Sequence, residues 1–540
     1  MQTSMKIRSA SMPNAALISI LLLVPALSAH GQSQWPTAGQ NLNNSRSQPA
    51  EHSISPANVK NLSPKWVFKT TKDVSATPTV AGGAVYFPDW GGNLYAVNKE
   101  SGSLIWSHKI SDYDGISGAF SRVSPVVDVE NDQLIIGDNP HGFTGAARVH
   151  PTITPEILNS IKQGGANLIA VDRQTGTLRW ITNVDSHPAA IITGSPVVFN
   201  GVVYEGVSSS EEAFAASFAY ACCTFRGSVV ALDAKSGKML WQTFTVPDNG
   251  GLPGGYSGGA VWQPPAIDPT RGSLFVGTGD NYTAPPDVEA CQNKHPKSQC
   301  TAADDYFDTA LALDLKTGQV KWANKLQAFD TWNTGCFDSP VPNVNCPVPG
   351  SPDFDFGGSG PNLLGNIVGF GQKSGIYWAL NPDNGNIVWH TSVGPGSDEG
   401  GMEWGTATDG TRIYAAIANL YNISYFLVPS GQQITWGSWS ALDVATGKIL
   451  WQTADPTPGT PGIGALSVAN GVMYAGSFSG QLYALDTITG NILWNFATGG
   501  SVIDGPSIVD GAVYWGSGYG SGPNGIANNK VYAFTLRGKN

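Results

Sequence analysis

"VALDAKSGKMLW" (230–241) decides the fold of this chain. A short apolar run ends at Asp233, Gly237 follows four residues later, and Trp241 follows eight residues later. Aspartate at a strand end offers its side chain to turn amides, and glycine supplies the positive φ of a tight reversal; a second strand then carries the tryptophan. The segment reads as a hairpin. The same spacing of Asp or Asn, Gly and Trp recurs in "YAVNKESGSLIW" (95–106), "IAVDRQTGTLRW" (169–180), "LALDLKTGQVKW" (311–322), "WALNPDNGNIVW" (378–389), "SALDVATGKILW" (440–451) and "YALDTITGNILW" (483–494), which makes seven copies. Upstream of most copies lies another strand pair, such as "GSPVVFNGVVYEG" (194–206). Repeated units of about four strands predict the blades of an all-β propeller.

An eighth unit starts at "GPSIVDGAVYWGS" (505–517) and ends at "KVYAFTL" (530–536), without the turn or the Trp. "LSPKWVFKT" (62–70) is placed to donate the missing outer strand, which closes an eight-bladed ring as one domain over residues 32–540. The repeated tryptophans then dock one blade on the next. Segments 141–166, 283–305 and 333–356 fall outside the pattern and read as insertions.

Composition agrees with this class. Charged residues make up 13% of the 540, and there are 66 glycines; the charged share is about half that of an ordinary soluble domain. The net charge of −11 is dispersed along the chain, and without a basic patch nucleic acid is not an expected partner. Lys6 and Arg8 precede an apolar run from Ala15 to Leu27 and small residues at Ser28, Ala29 and Gly31, the pattern of an export signal cleaved near 28–31. No later stretch approaches the roughly 20 apolar residues of a transmembrane helix. The mature protein is expected in the periplasm or outside the cell, where disulfides persist. Six cysteines allow 15 complete pairings, and sequence proximity favours Cys222–Cys223, Cys291–Cys300 and Cys336–Cys346.

The blade motif resembles quinoprotein alcohol dehydrogenases, as do the opening segment "WPTAGQNLNNSR" (35–46) and the adjacent cysteines. These eight-bladed propellers hold pyrroloquinoline quinone (PQQ) and a metal on the central axis. "GVSSSEEAF", "CCTFRGSVVALDAKSGK", "GTGDNY", "DTWN" and "DFDFGG" are most similar to the polyvinyl alcohol dehydrogenase-like branch. The resemblance implies that Cys222 and Cys223 form a disulfide ring against one face of the quinone, with Trp262 on the other face and Trp404 as a second aromatic. Glu403 stands where the family has Asn. The carboxylate-binding Arg is matched by Arg122, with Arg226 as a second candidate; Thr193 and Ser208 match the hydroxyls that bond the quinone's carboxylates.

Calcium takes six to eight oxygen ligands, and the resemblance assigns Glu211, either Asp280 or Asn281, and an aspartate of "DFDFGG" to the metal. "DTWN" ends in Asn333 where relatives carry the base, so Asp355 or Asp353 takes that role, with 334–352 as an insertion tied by Cys336–Cys346. Asp355 is the better match because Phe356 follows it. Were Asp353 the base, Asp355 would resemble the extra ligand of lanthanide-using members, so calcium or a lanthanide is implied. Lys373 matches the cation that polarises the reactive carbonyl. The implied reaction is oxidation of an alcohol. The chain has no C-x-x-C-H haem attachment motif, so electrons leave to an external acceptor, a cytochrome c. Two rivals remain at this level. One is a cofactor-free exported scaffold with the same fold, which has no use for the off-repeat set Cys222, Cys223, Trp262, Glu211 and Lys373. The other is a PQQ enzyme acting on aldoses or aldehydes.

Overall fold

Each repeat hairpin forms for local reasons. In the third blade, Asp233 Oδ1 accepts bonds from the Ser236 amide at 2.8 Å and the Ser236 hydroxyl at 2.6 Å, while Gly237 turns the chain at φ +70°. Strands Ser228–Asp233 and Met239–Phe244 leave this turn antiparallel. The preceding blade's Trp180 donates its indole N–H to Ala234 O at 2.9 Å. Its ring packs so closely on the turn that a Cβ on Gly237 would come within 2.6 Å of it. Every copy repeats this contact: Trp106, Trp241, Trp322, Trp389 and Trp451 donate to carbonyls of the next blade's turn or strand end, and Trp494 donates to Leu62 O. The tryptophans are blade-to-blade staples.

The chain, seen in a computed structural model, is described for residues 1–2, 33–140, 164–217, 220–295, 300–327, 329–336, 345–348, 352–356, 359–398, 400–520 and 524–538. The expected export signal and residues 141–163 of the first insertion lie outside them. Ser33–Asn540 is one compact unit; among the described residues it is built of eight antiparallel blade sheets, seven of them four-stranded and the third five-stranded through the short strand Ala190–Ile191, with two small two-stranded ribbons beside them. The blades span 79–109, 126–185, 197–244, 266–325, 362–392, 407–454, 466–497 and 507–535. Ser63–Lys69 pairs antiparallel with Lys530–Thr535 as the outer strand of the eighth blade. Trp66 there bonds Lys99 O at 3.0 Å and packs on Gly102, so the N-terminal strand supplies the staple the eighth unit lacks. Among the described residues no helix is long and apolar enough to cross a membrane.

The topology gathers particular loops at one end of the ring. In an antiparallel hairpin, the residues before the first strand and those after the second lie at the same end. Thr193, Trp262, Asp355 and Trp404 precede first strands, while Ser208, Asp280 and Lys373 end or follow second strands. All seven come from blades three to six.

Candidate active site

A cavity of about 200 Å³ lies among these loops, lined by Arg122, Thr193, Ser208, Glu212, Trp262, Asp355, Lys373, Glu403 and Trp404, with other residues. Its chemistry centres on blade five. Asp353 and Asp355 stand two residues apart just before the first strand of that blade, and the Lys373 amide bonds Asp355 O at 3.1 Å. The Lys373 ammonium lies 2.7 Å from Asp353 Oδ2 and 3.5 Å from Asp355 Oδ1. Carboxylate oxygens of Asp280, Asp353 and Asp355 lie within 4.8 Å of one another, all buried. Among the described residues Asp280 Oδ2 and Asp353 Oδ1 are buried without a hydrogen-bond partner.

Burial and mutual repulsion set the electrostatics. Burial pushes the Asp280 carboxyl well up, and the charges of Asp353, Asp330, Glu212 and Asp355 add to it. Asp353 is likewise pushed up by burial, against the pull of Lys373. Lys373 is opposed by burial, but Asp353, Asp355, Glu403 and Glu212 outweigh it and hold the ammonium protonated well above the usual lysine range. The surplus of carboxylates over ammonium leaves a buried negative centre, which a hard cation satisfies.

Flat rings frame this centre. Trp262 donates its indole N–H to Asp355 Oδ2 at 3.1 Å and sits 5.3 Å from the Lys373 ammonium, ring centroid to nitrogen. Trp404 meets Trp262 edge-on at 5.2 Å and 73°, and the Arg122 guanidinium rests 4.6 Å over Trp404. Thr193 and Ser208 share a 2.6 Å hydroxyl bond at the cavity wall.

Several sequence expectations change at the level of single residues. Glu211 does not line the cavity: its carboxylate accepts bonds from the Thr224 and Phe225 amides at 2.8 and 2.7 Å and from the Tyr220 hydroxyl at 2.8 Å. The neighbouring Glu212 lines the cavity instead. Both sit on the helical turn Glu211–Phe214, where successive side chains point about 100° apart. Asp280 belongs to the acid cluster, whereas Asn281 turns to Asp305, donating at 3.1 Å. Arg226 bonds Val246 O at 3.2 and 3.0 Å and stacks 4.1 Å over Phe244, so only Arg122 of the two arginines lines the cavity. Asp355 lines it; Asp353 lies behind, paired with Lys373.

Cys222 and Cys223 are bonded to each other, as are Cys291–Cys300 and Cys336–Cys346. Neither vicinal cysteine lines the cavity; both pack in the apolar cluster that Trp262 also touches. The Glu211 carboxylate grips the two amides that follow the pair, so this glutamate anchors the disulfide segment. The "EE" pair was the available signal for Glu212.

A family model for "Glucose/ethanol/alcohol dehydrogenase, beta-propeller domain" matches residues 35–344, a span that includes Arg122, Thr193, Ser208, Glu212, Trp262 and Asp280 and ends before Asp353, Asp355 and Lys373. A second, for "Outer membrane protein assembly factor BamB", matches 437–538, which contributes only Tyr519 to the cavity lining. The chain is 31% identical to a polyvinylalcohol dehydrogenase of Sphingopyxis sp. (strain 113P3), covering 94% of this chain and 77% of that protein. The solved quinohemoprotein alcohol dehydrogenase from Comamonas testosteroni superposes with a TM-score of 0.66 at 19% identity, covering 94% of this chain and 81% of that one. A europium-containing methanol dehydrogenase superposes at 0.65 and 17% identity, covering 93% and 98%. The chain belongs to the PQQ-dependent alcohol dehydrogenase family of eight-bladed β-propellers.

Proposed function

We propose that this chain is an exported PQQ-dependent dehydrogenase that oxidises the hydroxyl groups of secondary alcohols or polyols, polyvinyl alcohol-like chains among them, and passes electrons to an external cytochrome c. One observation carries the reading: three buried carboxylates, two with unpartnered oxygens, cluster beside Lys373, and the Trp262 indole N–H bonds one of them, Asp355. Unpartnered buried carboxylate oxygens fit a hard cation, calcium or a lanthanide, and an indole face beside a guanidinium and two hydroxyls fits a flat polycarboxylate quinone. Glu212, Asp280, Asp353 and Asp355 are the proposed cation ligands. Trp262 and Trp404 offer ring surface, with the Cys222–Cys223 segment packed nearby; Arg122, Thr193 and Ser208 offer donors for carboxylates.

The quinone, when bound, supplies the acceptor for the hydride that leaves the alcohol carbon. Asp355 takes the hydroxyl proton, being the aspartate that reaches the cavity, and Trp262 Nε1 fixes the orientation of its carboxylate. Lys373 holds a positive charge beside both aspartates, 2.7 Å from Asp353 and 3.5 Å from Asp355, where it would stabilise negative charge developing in the cavity. Export is supported by the all-disulfide cysteine content, and the substrate class by the polyvinylalcohol dehydrogenase likeness. The test is dye-linked oxidation by the purified protein loaded with PQQ and calcium or a lanthanide, across secondary alcohols, 1,3-diols, polyvinyl alcohol and aldoses. Turnover confined to aldoses, or no PQQ binding by calorimetry, overturns the reading.

A further inference from the structure

A second concavity, of about 430 Å³, opens beside the cavity. The two are separated by a pair of rings: Phe478 lines the groove, Tyr519 lines the cavity, and their centroids are 6.2 Å apart. Both walls of the groove are tied to the active-site framework. On one side, the Leu420 amide bonds Ser397 Oγ at 3.3 Å, and the Ser397 amide bonds Lys373 O at 3.3 Å. On the other, Ile526 O accepts from the Tyr519 amide at 3.3 Å.

The lining selects a kind of occupant. Leu420, Phe478 and Ile526 supply apolar surface, and Asn422, Thr457 and Asn524 supply neutral donors and acceptors. Among the described residues no charged side chain lines the groove, which disfavours an ionic ligand and a charge-steered protein partner. A carbon chain carrying hydroxyls at intervals matches such an alternation of apolar and amide surface.

We infer that this groove is a subsite for an extended hydroxyl-bearing chain, holding the units that flank the carbinol being oxidised. The inference rests on the alcohol dehydrogenase reading and deepens it: the site takes a polymer segment along the ring face, not only a small alcohol. It gives the enzyme a preference for long substrates through KM, because flanking units bind alike in ground and transition states.

The test compares two groove variants with wild type in the PQQ- and metal-loaded protein. Ile526→Trp fills the groove and Leu420→Ser strips its apolar wall. Both are expected to raise KM for polyvinyl alcohol by about 10-fold, the scale of a lost apolar contact, with kcat/KM for 2-butanol changed by less than about twofold. Calorimetry with a short polyvinyl alcohol on the same proteins should show the same loss of binding. Unchanged polymer KM and binding in both variants overturns the inference. An equal fall for polymer and 2-butanol overturns it too, because the groove then only supports the fold. A defect seen with a cytochrome acceptor but not with the dye makes the groove an acceptor contact and also overturns it. If wild type turns over no alcohol yet binds the polymer in a groove-dependent way, the subsite stands and the dehydrogenase reading falls.

Discussion

At the level of single residues, the site separates groups that neighbour each other in sequence. Asp355 faces the cavity and takes the Trp262 N–H, while Asp353 is committed to Lys373. Asp355→Asn is expected to lower turnover by about 10²–10⁴ with PQQ still bound, measured by dye-linked rate and calorimetry; near-normal rates would move the base to Asp353. Glu212→Gln should weaken metal-supported PQQ binding. Glu211→Gln should instead leave metal affinity intact and loosen the Cys222–Cys223 segment, read as faster proteolysis there. His187 adds a pH effect. It bonds Thr224 Oγ1 at 2.9 Å, its Nδ1 accepts from the Ala189 amide at 3.1 Å, and it lies 3.7 Å from Glu211. Burial lowers its pKa to about 4, against about 6.5 in an unfolded chain. The unfolded state therefore binds the extra proton, so this contribution is complete above about pH 6.5 and is lost as pH falls toward 4. The stability difference between wild type and His187→Gln should shrink over that window, with a slope near one proton, about 1.4 kcal/mol per pH unit. The difference isolates His187 from the buried carboxyls, which titrate in the opposite sense.

At the level of elements, the repeat hairpin couples a turn to a staple. Gly237 and Gly201 both have φ above +70° or at it, but a Cβ on Gly237 meets the Trp180 ring at 2.6 Å, whereas one on Gly201 meets nothing within 4 Å. Gly201→Ala should cost about 1 kcal/mol from backbone conformation alone. Gly237→Ala should cost about 1–3 kcal/mol more, because the ring must shift in a packed interface; denaturant midpoints check the contrast. The vicinal disulfide closes a loop of only two residues, so reduction should impair turnover more than stability. Hairpins, blade count and disulfide partners were legible in the sequence because each depends on contacts between residues close in the chain. Glu212 was not, since direction around a helical turn distinguishes it from Glu211. Asp280 was left tied with Asn281 because strand neighbours point to opposite faces, and only the surrounding packing says which face holds the acids.

At the level of the whole molecule, the ring is closed by its own N-terminus. Trp66 is buried between the eighth and first blades, bonded to Lys99 O and packed on Gly102. Trp66→Ala should destabilise the protein by about 3–5 kcal/mol, as measured by chemical unfolding. The same substitution should not alter metal affinity, since the proposed ligands Glu212, Asp280, Asp353 and Asp355 come from blades three to five. The sequence by itself determined the eight blades, the strand that closes them, the stapling role of the tryptophans and the family of residues from which a site is drawn. These follow from a short-range period repeated seven times, in which turn chemistry and strand alternation act within a dozen residues. The tertiary structure alone decided what the local pattern left open or placed otherwise: Glu212, not Glu211, lines the cavity, and Asp280, not Asn281, joins the acid cluster, while Arg122 and Asp355, the candidates the sequence already favoured, line the cavity. Their convergence depends on how loops from separate blades aim side chains at the axis, and that direction is fixed by ring closure and packing, which no local spacing encodes.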